Sequence, residues 1–386
     1  MAITGFTLGL SILVAQKFGS GDPQLIPKIL ATFSALLGVV FLLLAGVGMG
    51  LTSPLLHLLH TTPDTIGLAE HYLRILFAGA PFLAVYNVYS ATLRGIGDSR
   101  APFLAILLSS VMNVALDILF VALWRWGVGG AAAATVISQG AMTAFIIAYS
   151  VKKHAFLRFR PNKQAWDRAA LVQGARLGAP PMIQSSISAF GSLILQNFMN
   201  GFGTQTVAAI TTAYRVDTIV LLPIINLGAG ISTIVAQSHG AGDETRAQKV
   251  FTVGMAVMTL VSLLLTALVI PTGGRLIAMF GVGGEATAIG EQFFLRIASF
   301  YLVFGLATAA RGYLEGLGDV LYSSMAGIVS LLTRIAGSYA LAGVFGNMII
   351  AYAEAFSWGA LLVLYLGRMA ARRRKARRRE GGGMPC

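Results

Sequence analysis

Six runs in this sequence, Ile29 to Gly50, Ala101 to Leu123, Gly130 to Ser150, Val253 to Ile270, Leu321 to Val344 and Met348 to Leu366, are each about twenty residues long with at most one or two charges. A helix of about twenty residues spans roughly 30 Å of hydrocarbon. Three further stretches, Gly67 to Leu93, Ala169 to Phe202 and Val207 to Gln237, are at least as long but carry isolated polar residues or prolines, as helices lining a cavity do. With Ala286 to Ala310 and the short Met1 to Gln16 segment, the sequence predicts eleven helices. Composition agrees, since 56% of the residues are hydrophobic and 11% charged, against about 25% charged in soluble domains. A soluble fold of this size is excluded.

The net charge of +13 is informative through its placement. If the basic segment from Lys152 to Arg168 is cytoplasmic, most lysines and arginines fall on that side, and only Arg125 and Arg275 lie in outer loops. This is the positive-inside asymmetry of a multi-span protein. The tail RRRKARRR from Arg372 to Arg379 directly follows a span, so it reads as a stop held near anionic lipid rather than as a nucleic-acid arm. The single cysteine, Cys386, excludes a disulfide framework. No basic region precedes the first apolar run, so Met1 does not open a secretory signal peptide.

An internal repeat organises the rest. Leu8 to Asp22 reads LGLSILVAQKFGSGD and Ala229 to Asp243 reads AGISTIVAQSHGAGD, an offset of 221 residues; at the same offset RGIGD, Arg94 to Asp98, matches EGLGD, Glu315 to Asp319. Between these loops YLRI at Tyr72 matches FLRI at Phe294 with a shift of one. The chain therefore reads as an all-α polytopic protein of two homologous six-helix bundles in a parallel pseudo-two-fold repeat, the first carrying five helices here. The expected divisions are an amino-terminal bundle over 1–151, a cytoplasmic basic linker over 152–168, a carboxy-terminal bundle over 169–370 and a basic cytoplasmic tail over 371–386. The first helix of a complete repeat is expected upstream of Met1, which favours a truncated gene model. Parallel repeats suit alternating access. The Gly-Asp loops read as tight turns, with glycine at positive φ and aspartate capping the next helix.

The paired VAQxxGxGD loops, the RGxGD and EGxGD loops, AYRVD at Ala213 to Asp217 and Pro223 resemble the multidrug and toxic compound extrusion (MATE) exporters, in particular the DinF-like prokaryotic branch. The resemblance covers the chain from Gly5 to Arg368. It implies a two-lobed secondary antiporter, not an enzyme, that expels small amphipathic organic cations across the lipid bilayer in exchange for Na+ or H+. It further implies a monomer in the inner (plasma) membrane, with no cofactor and no nucleic-acid partner. The alternatives are a lipid-linked oligosaccharide flippase of the same superfamily and an inactive truncated fragment.

Ionisable groups inside spans are the place to look for chemistry. Asp117 lies four residues after Asn113, on one helical face. Asp117 is nine residues before Trp126 and Thr135 nine after it, so both sit roughly 13 Å below the outer turn. Oxygen ligands of this kind suit sodium, and a desolvated carboxylate suits a proton; a buried cluster that only fixes packing is the structural alternative. The trio is similar to the acid, amide and hydroxyl of the family's amino-terminal cation site, which in the family also uses an aspartate on the first helix. Asn87, Gln184 beside Pro180-Pro181, Asp217 and Glu354 are further cavity candidates. Arg334 and Ser338 occupy the repeat positions of Asn113 and Asp117, and Arg334 is a possible partner of Glu354.

Overall fold

Backbone polar groups in hydrocarbon must be satisfied within the segment, and helices meet that condition in this chain. The computed structural model of the chain describes residues 2–58, 61–158 and 167–381, the last six of these by backbone only. Among the described residues there is no strand. The helices are α1 (Ala2–Gly19), α2 (Leu25–Leu58), α3 (Pro63–Gly95), α4 (Arg100–Asp117), α5 (Gly127–Lys153), α6 (Arg168–Asn200), α7 (Thr204–Val220), α8 (Leu222–Gly240), α9 (Glu244–Ala278), α10 (Gly284–Ala298), α11 (Tyr301–Gly316), α12 (Val320–Phe345) and α13 (Ile349–Gly381). Among the described residues seven stretches are long and apolar enough to span a membrane, the run Val320–Lys375 holding both α12 and α13, and there are up to nine if each of two bent pairs is one span. At 33 residues α6 is long enough; Arg168, Gln173, Arg176 and Gln184 dilute its apolar character. Arg160, Lys163 and Cys386 lie outside the described residues.

Two spans expected as single helices are broken. α7 meets α8 at 43° and α10 meets α11 at 49°. Pro223 stands in the first turn of α8, where its missing N–H leaves no helical bond unmade while the ring blocks continuation from α7. After Asp117, α4 passes into a π-helical turn, Ile118–Leu123. The turn ends in a stack of Phe120, Trp124 and Trp126, with centroids 4.8–5.2 Å apart. Such an aromatic cluster suits a membrane interface.

The chain forms two compact units, Phe6–Gly178 and the chain from Ala179 onward together with its start up to Gly5. Inside each, the repeat is exact enough to recur in single contacts. A Cβ on Gly95 would lie 2.8 Å from the Ser11 carbonyl oxygen and 2.8 Å from Val14 Cβ; one on Gly316 would lie 2.7 Å from the Ser232 carbonyl oxygen and 2.7 Å from Val235 Cβ. All three positions are 221 apart. The loops repeat as well. The Asp98 amide donates to the Leu93 carbonyl at 2.8 Å and the Asp319 amide to the Leu314 carbonyl at 2.9 Å, with Gly97 and Gly318 at φ 91° and 82°. Only glycine adopts that backbone freely, and this closes the helix C-terminus.

The loop aspartates do more than cap. Asp243 caps α9 by accepting from the Arg246 amide at 2.8 Å. Asp98 takes Lys153 at 2.9 Å and His154 at 3.0 Å from the end of α5. Asp319, expected as a cap, makes no side-chain cap bond; it holds Arg368 at 2.7 Å and Arg372 at 3.3 Å on α13 instead. The equivalent aspartate in each unit thus ties its loop to basic side chains of another helix, at the end of α5 in one and along α13 in the other.

Candidate functional site

The polar groups of the first unit centre on α4. Asn113 and Asp117 share a face of this helix, and α4 packs on α5. The Asp117 Oδ1 and Asn113 Nδ2 atoms are both buried without a hydrogen-bond partner. An unmade bond at a buried polar atom costs about 1–3 kcal/mol, and more for a charged group, so the open acceptor at Asp117 Oδ1 is a place for a ligand, with the Asn113 amide one turn away. Thr135, on α5, donates its hydroxyl to the Ala131 carbonyl at 3.0 Å, which leaves the hydroxyl oxygen free to accept or ligate. Asp117 is the last residue before the π-helical turn, and such turns recur at functional sites.

The second unit assembles a different cluster. Tyr214 and Asp217 lie three apart on α7, so they share a face. Asp217 is 4% exposed and accepts a short hydrogen bond from the Tyr301 hydroxyl at the start of α11. Arg334 on α12 donates from Nη2 to the Tyr214 hydroxyl at 2.7 Å and to Glu354 Oε2 on α13 at 3.1 Å. Its guanidinium also stands over the Tyr214 ring, 5.6 Å from the centroid, while its Nε is buried and unpartnered. A cavity of about 300 Å³ opens beside this pair, lined by Gln196, Tyr214, Thr218, Arg334, Ser338 and Glu354 among others.

Of the cavity candidates, Asp217 and Glu354 therefore come together and the other two do not. The Asn87 amide donates back to the Leu83 carbonyl of its own helix at 2.7 Å. Gln184 accepts from Arg311 Nη2 at 3.4 Å, in a network where Arg311 Nε meets Glu315 at 2.6 Å and Ser323 donates to Glu315 at 3.0 Å. Arg215 is exposed. Sequence reasoning missed Tyr214 and Tyr301. The three-residue spacing of Tyr214 and Asp217 was a readable signal; Tyr301, 84 residues from Asp217, had none.

Outside the spans, electrostatics favour ionised aspartates. Burial by itself raises the Asp98 carboxyl, but hydrogen bonds from His154, Lys153 and the Ala101 amide outweigh it and hold the group at about 2. Burial acts the same way on Asp319, where Arg368 and Arg372 overcome it and keep the carboxyl below the usual range.

Comparison with known proteins adds the lineage. The MatE family model matches residues 1–119 and 180–340. The chain is 30% identical over 335 residues to the probable multidrug resistance protein YpnP of Bacillus subtilis (strain 168), covering 86% of this chain and 75% of that one. It is 29% identical over 343 residues to the probable multidrug resistance protein YoeA of the same organism, covering 85% and 73%. Its fold matches an outward-facing multidrug resistance MATE family transporter of the MOP superfamily with a TM-score of 0.89 at 20% identity, over 97% of this chain and 85% of that one.

Proposed function

The chain belongs to the MatE family, and on that premise we propose that this multi-pass membrane transporter is a multidrug exporter working as an antiporter, moving small amphipathic organic cations out of the cell as Na+ or H+ moves in. Efflux follows from relatives named as multidrug resistance proteins. Antiport rests on one observation above the rest, the unpartnered Asp117 carboxylate oxygen, one helical turn from Asn113 within a span. One oxygen of that carboxylate, Oδ1, is buried without a donor, a place that a small cation would fill. Asp117 supplies the charge, and the side-chain oxygens of Asn113 and Thr135 supply neutral ligands of the kind a small hard cation takes. Entry of the ion removes a desolvation cost that otherwise opposes closure of the site, which couples occupancy to alternating access. The positive-inside distribution supports an inner-membrane setting with the tail in the cytoplasm.

The test is accumulation of a fluorescent cationic dye in cells lacking other exporters. Expression of the chain is expected to lower accumulation, and Asp117→Asn to restore it to the vector level while the protein still reaches the membrane. Unchanged accumulation for a panel of cationic dyes, with membrane insertion verified, would sink the drug-export reading; efflux that survives Asp117→Asn would sink the assignment of the ion site.

A further inference from the structure

The charges buried in the second unit do not balance. Asp217 and Glu354 are two carboxylates, and Arg334 is the one cation among the groups that bear on them. Its Nη2 is already committed to Glu354 and Tyr214. Asp217 receives a single neutral donor, the Tyr301 hydroxyl, although it is one of two buried acidic residues, with Glu315, among the described residues. The charged and titratable groups that bear on it are Tyr301 on α11, Glu354 on α13 and Arg334 on α12, with Tyr214 three residues before it on its own helix; among the described residues α8, α9 and α10 bring it no charge. An ionised carboxylate in such a place is costly, and neutralisation is the usual resolution.

The location is as telling as the count. Asp217 lies four residues before the break between α7 and α8, and Tyr301 is the first residue after the break between α10 and α11. Their hydrogen bond joins two discontinuous spans, the kind of place where transporters hold coupling ions. Arg334 and Ser338 are the repeat positions of Asn113 and Asp117, so the cluster occupies in its own unit the place that the proposed ion site occupies in the other. The cavity beside Tyr214 lies one helical turn from Asp217 and gives a proton polar space to enter.

We infer that Asp217, braced by Tyr301, carries a second exchangeable proton in the carboxy-terminal unit, with Arg334 and Glu354 standing by as a fixed ion pair. The step is a simple protonation: one oxygen of the carboxylate takes H+, and the Tyr301 hydroxyl donates to the carboxyl group before and after. Its use in transport rests on the antiport reading, but its existence does not. The test is infrared difference spectroscopy of the purified full chain across a pH jump, following the carbonyl stretch of protonated carboxylic acids. A component is expected that disappears in Asp217→Asn, remains in Asp117→Asn, and shifts to higher frequency in Tyr301→Phe because the acid loses its donor. A wild-type spectrum matched by Asp217→Asn, or an unshifted band in Tyr301→Phe should Asp217→Asn fail to fold, overturns the inference. A band abolished by Na+ at constant pH overturns it in favour of a sodium site. In proteoliposomes the protons exchanged per dye molecule should fall by one in Asp217→Asn; if the Asp217 band is present and no variant moves dye, the antiport reading fails while the proton site stands.

Discussion

Arg334 shows how much a single buried charge depends on its partners. It is held by Glu354 and Tyr214, and the exposures of the two ionic side chains, 22% and 12%, leave little room for water to compensate. Removing one member of such a pair strands the other, at about 3–5 kcal/mol, whereas replacing both by apolar groups of similar volume is often neutral. Glu354→Gln is therefore expected to lower the melting temperature of the detergent-solubilised protein markedly, and the Arg334→Met, Glu354→Leu double variant to recover most of the loss. A double variant as unstable as the single one would mean that the pair is not what Glu354 secures. The loop aspartates carry a pH signature with a definite sign. An unfolded aspartate titrates near 3.9, while Asp98 in the fold stays ionised to about 2. Its stabilisation is thus fully present above about pH 4 and is lost as pH falls toward 2. Asp98→Asn should flatten the dependence of melting temperature on pH across that window, with a smaller difference in slope above it.

Much of the element pattern was legible in the sequence, because hydrocarbon thickness dictates segment length and, among the described residues, each predicted apolar segment lies within a helix or a bent pair of helices to within two residues at its ends. The two breaks were not legible. A run of apolar residues reads the same whether straight or bent; Pro223 hinted at the first break, and nothing local marks the second. The site divides in the same way. Asn113 and Asp117 share a helix, so spacing revealed them, whereas the joining of Asp217 to Tyr301 requires two hinges to meet. Glycine contacts are another feature that only packing reveals. At Gly95 and Gly316 the extra methyl would press on a carbonyl oxygen and a valine Cβ at under 3 Å, and neither the neighbouring helix backbone nor a β-branched carbon can swing away. Gly95→Ala and Gly316→Ala should each destabilise by about 1–3 kcal/mol, to a similar extent, as thermal melts of the two variants will show. A tolerated change at one position alone would mean that the repeat has relaxed there.

At the scale of the whole chain, the repeat permits each surface to be compared with its counterpart. In the first unit, α1 and α2 present Phe6, Gly9 and Phe33, and the amino-terminal part of α6 covers them: a Cβ on Gly178 would meet Phe6, one on Gly9 would meet the Leu177 carbonyl, and one on Gly174 would meet the Phe33 ring. The counterparts 221 residues on are Leu227, Gly230 and Gly254. There α8 and α9 leave an apolar groove of about 530 Å³ with Arg246 and Lys249 at one end. Two surfaces of common descent have thus diverged, one closed by a helix and filled by two phenylalanines, the other open and floored by two glycines. Loss of the two rings at the second surface accounts for the space, since each aromatic side chain fills a large share of such a volume. The difference can be read chemically with single cysteines at equivalent positions, after the native Cys386 is changed to serine. Ile234 is 42% exposed and Leu13 is 3% exposed. Ile234→Cys in detergent should react with a small thiol reagent at least tenfold faster than Leu13→Cys, and bulky reagents should widen the ratio, because the groove admits a limited volume. Equal rates would mean that the groove is closed in solution and that the two halves of the repeat are covered alike.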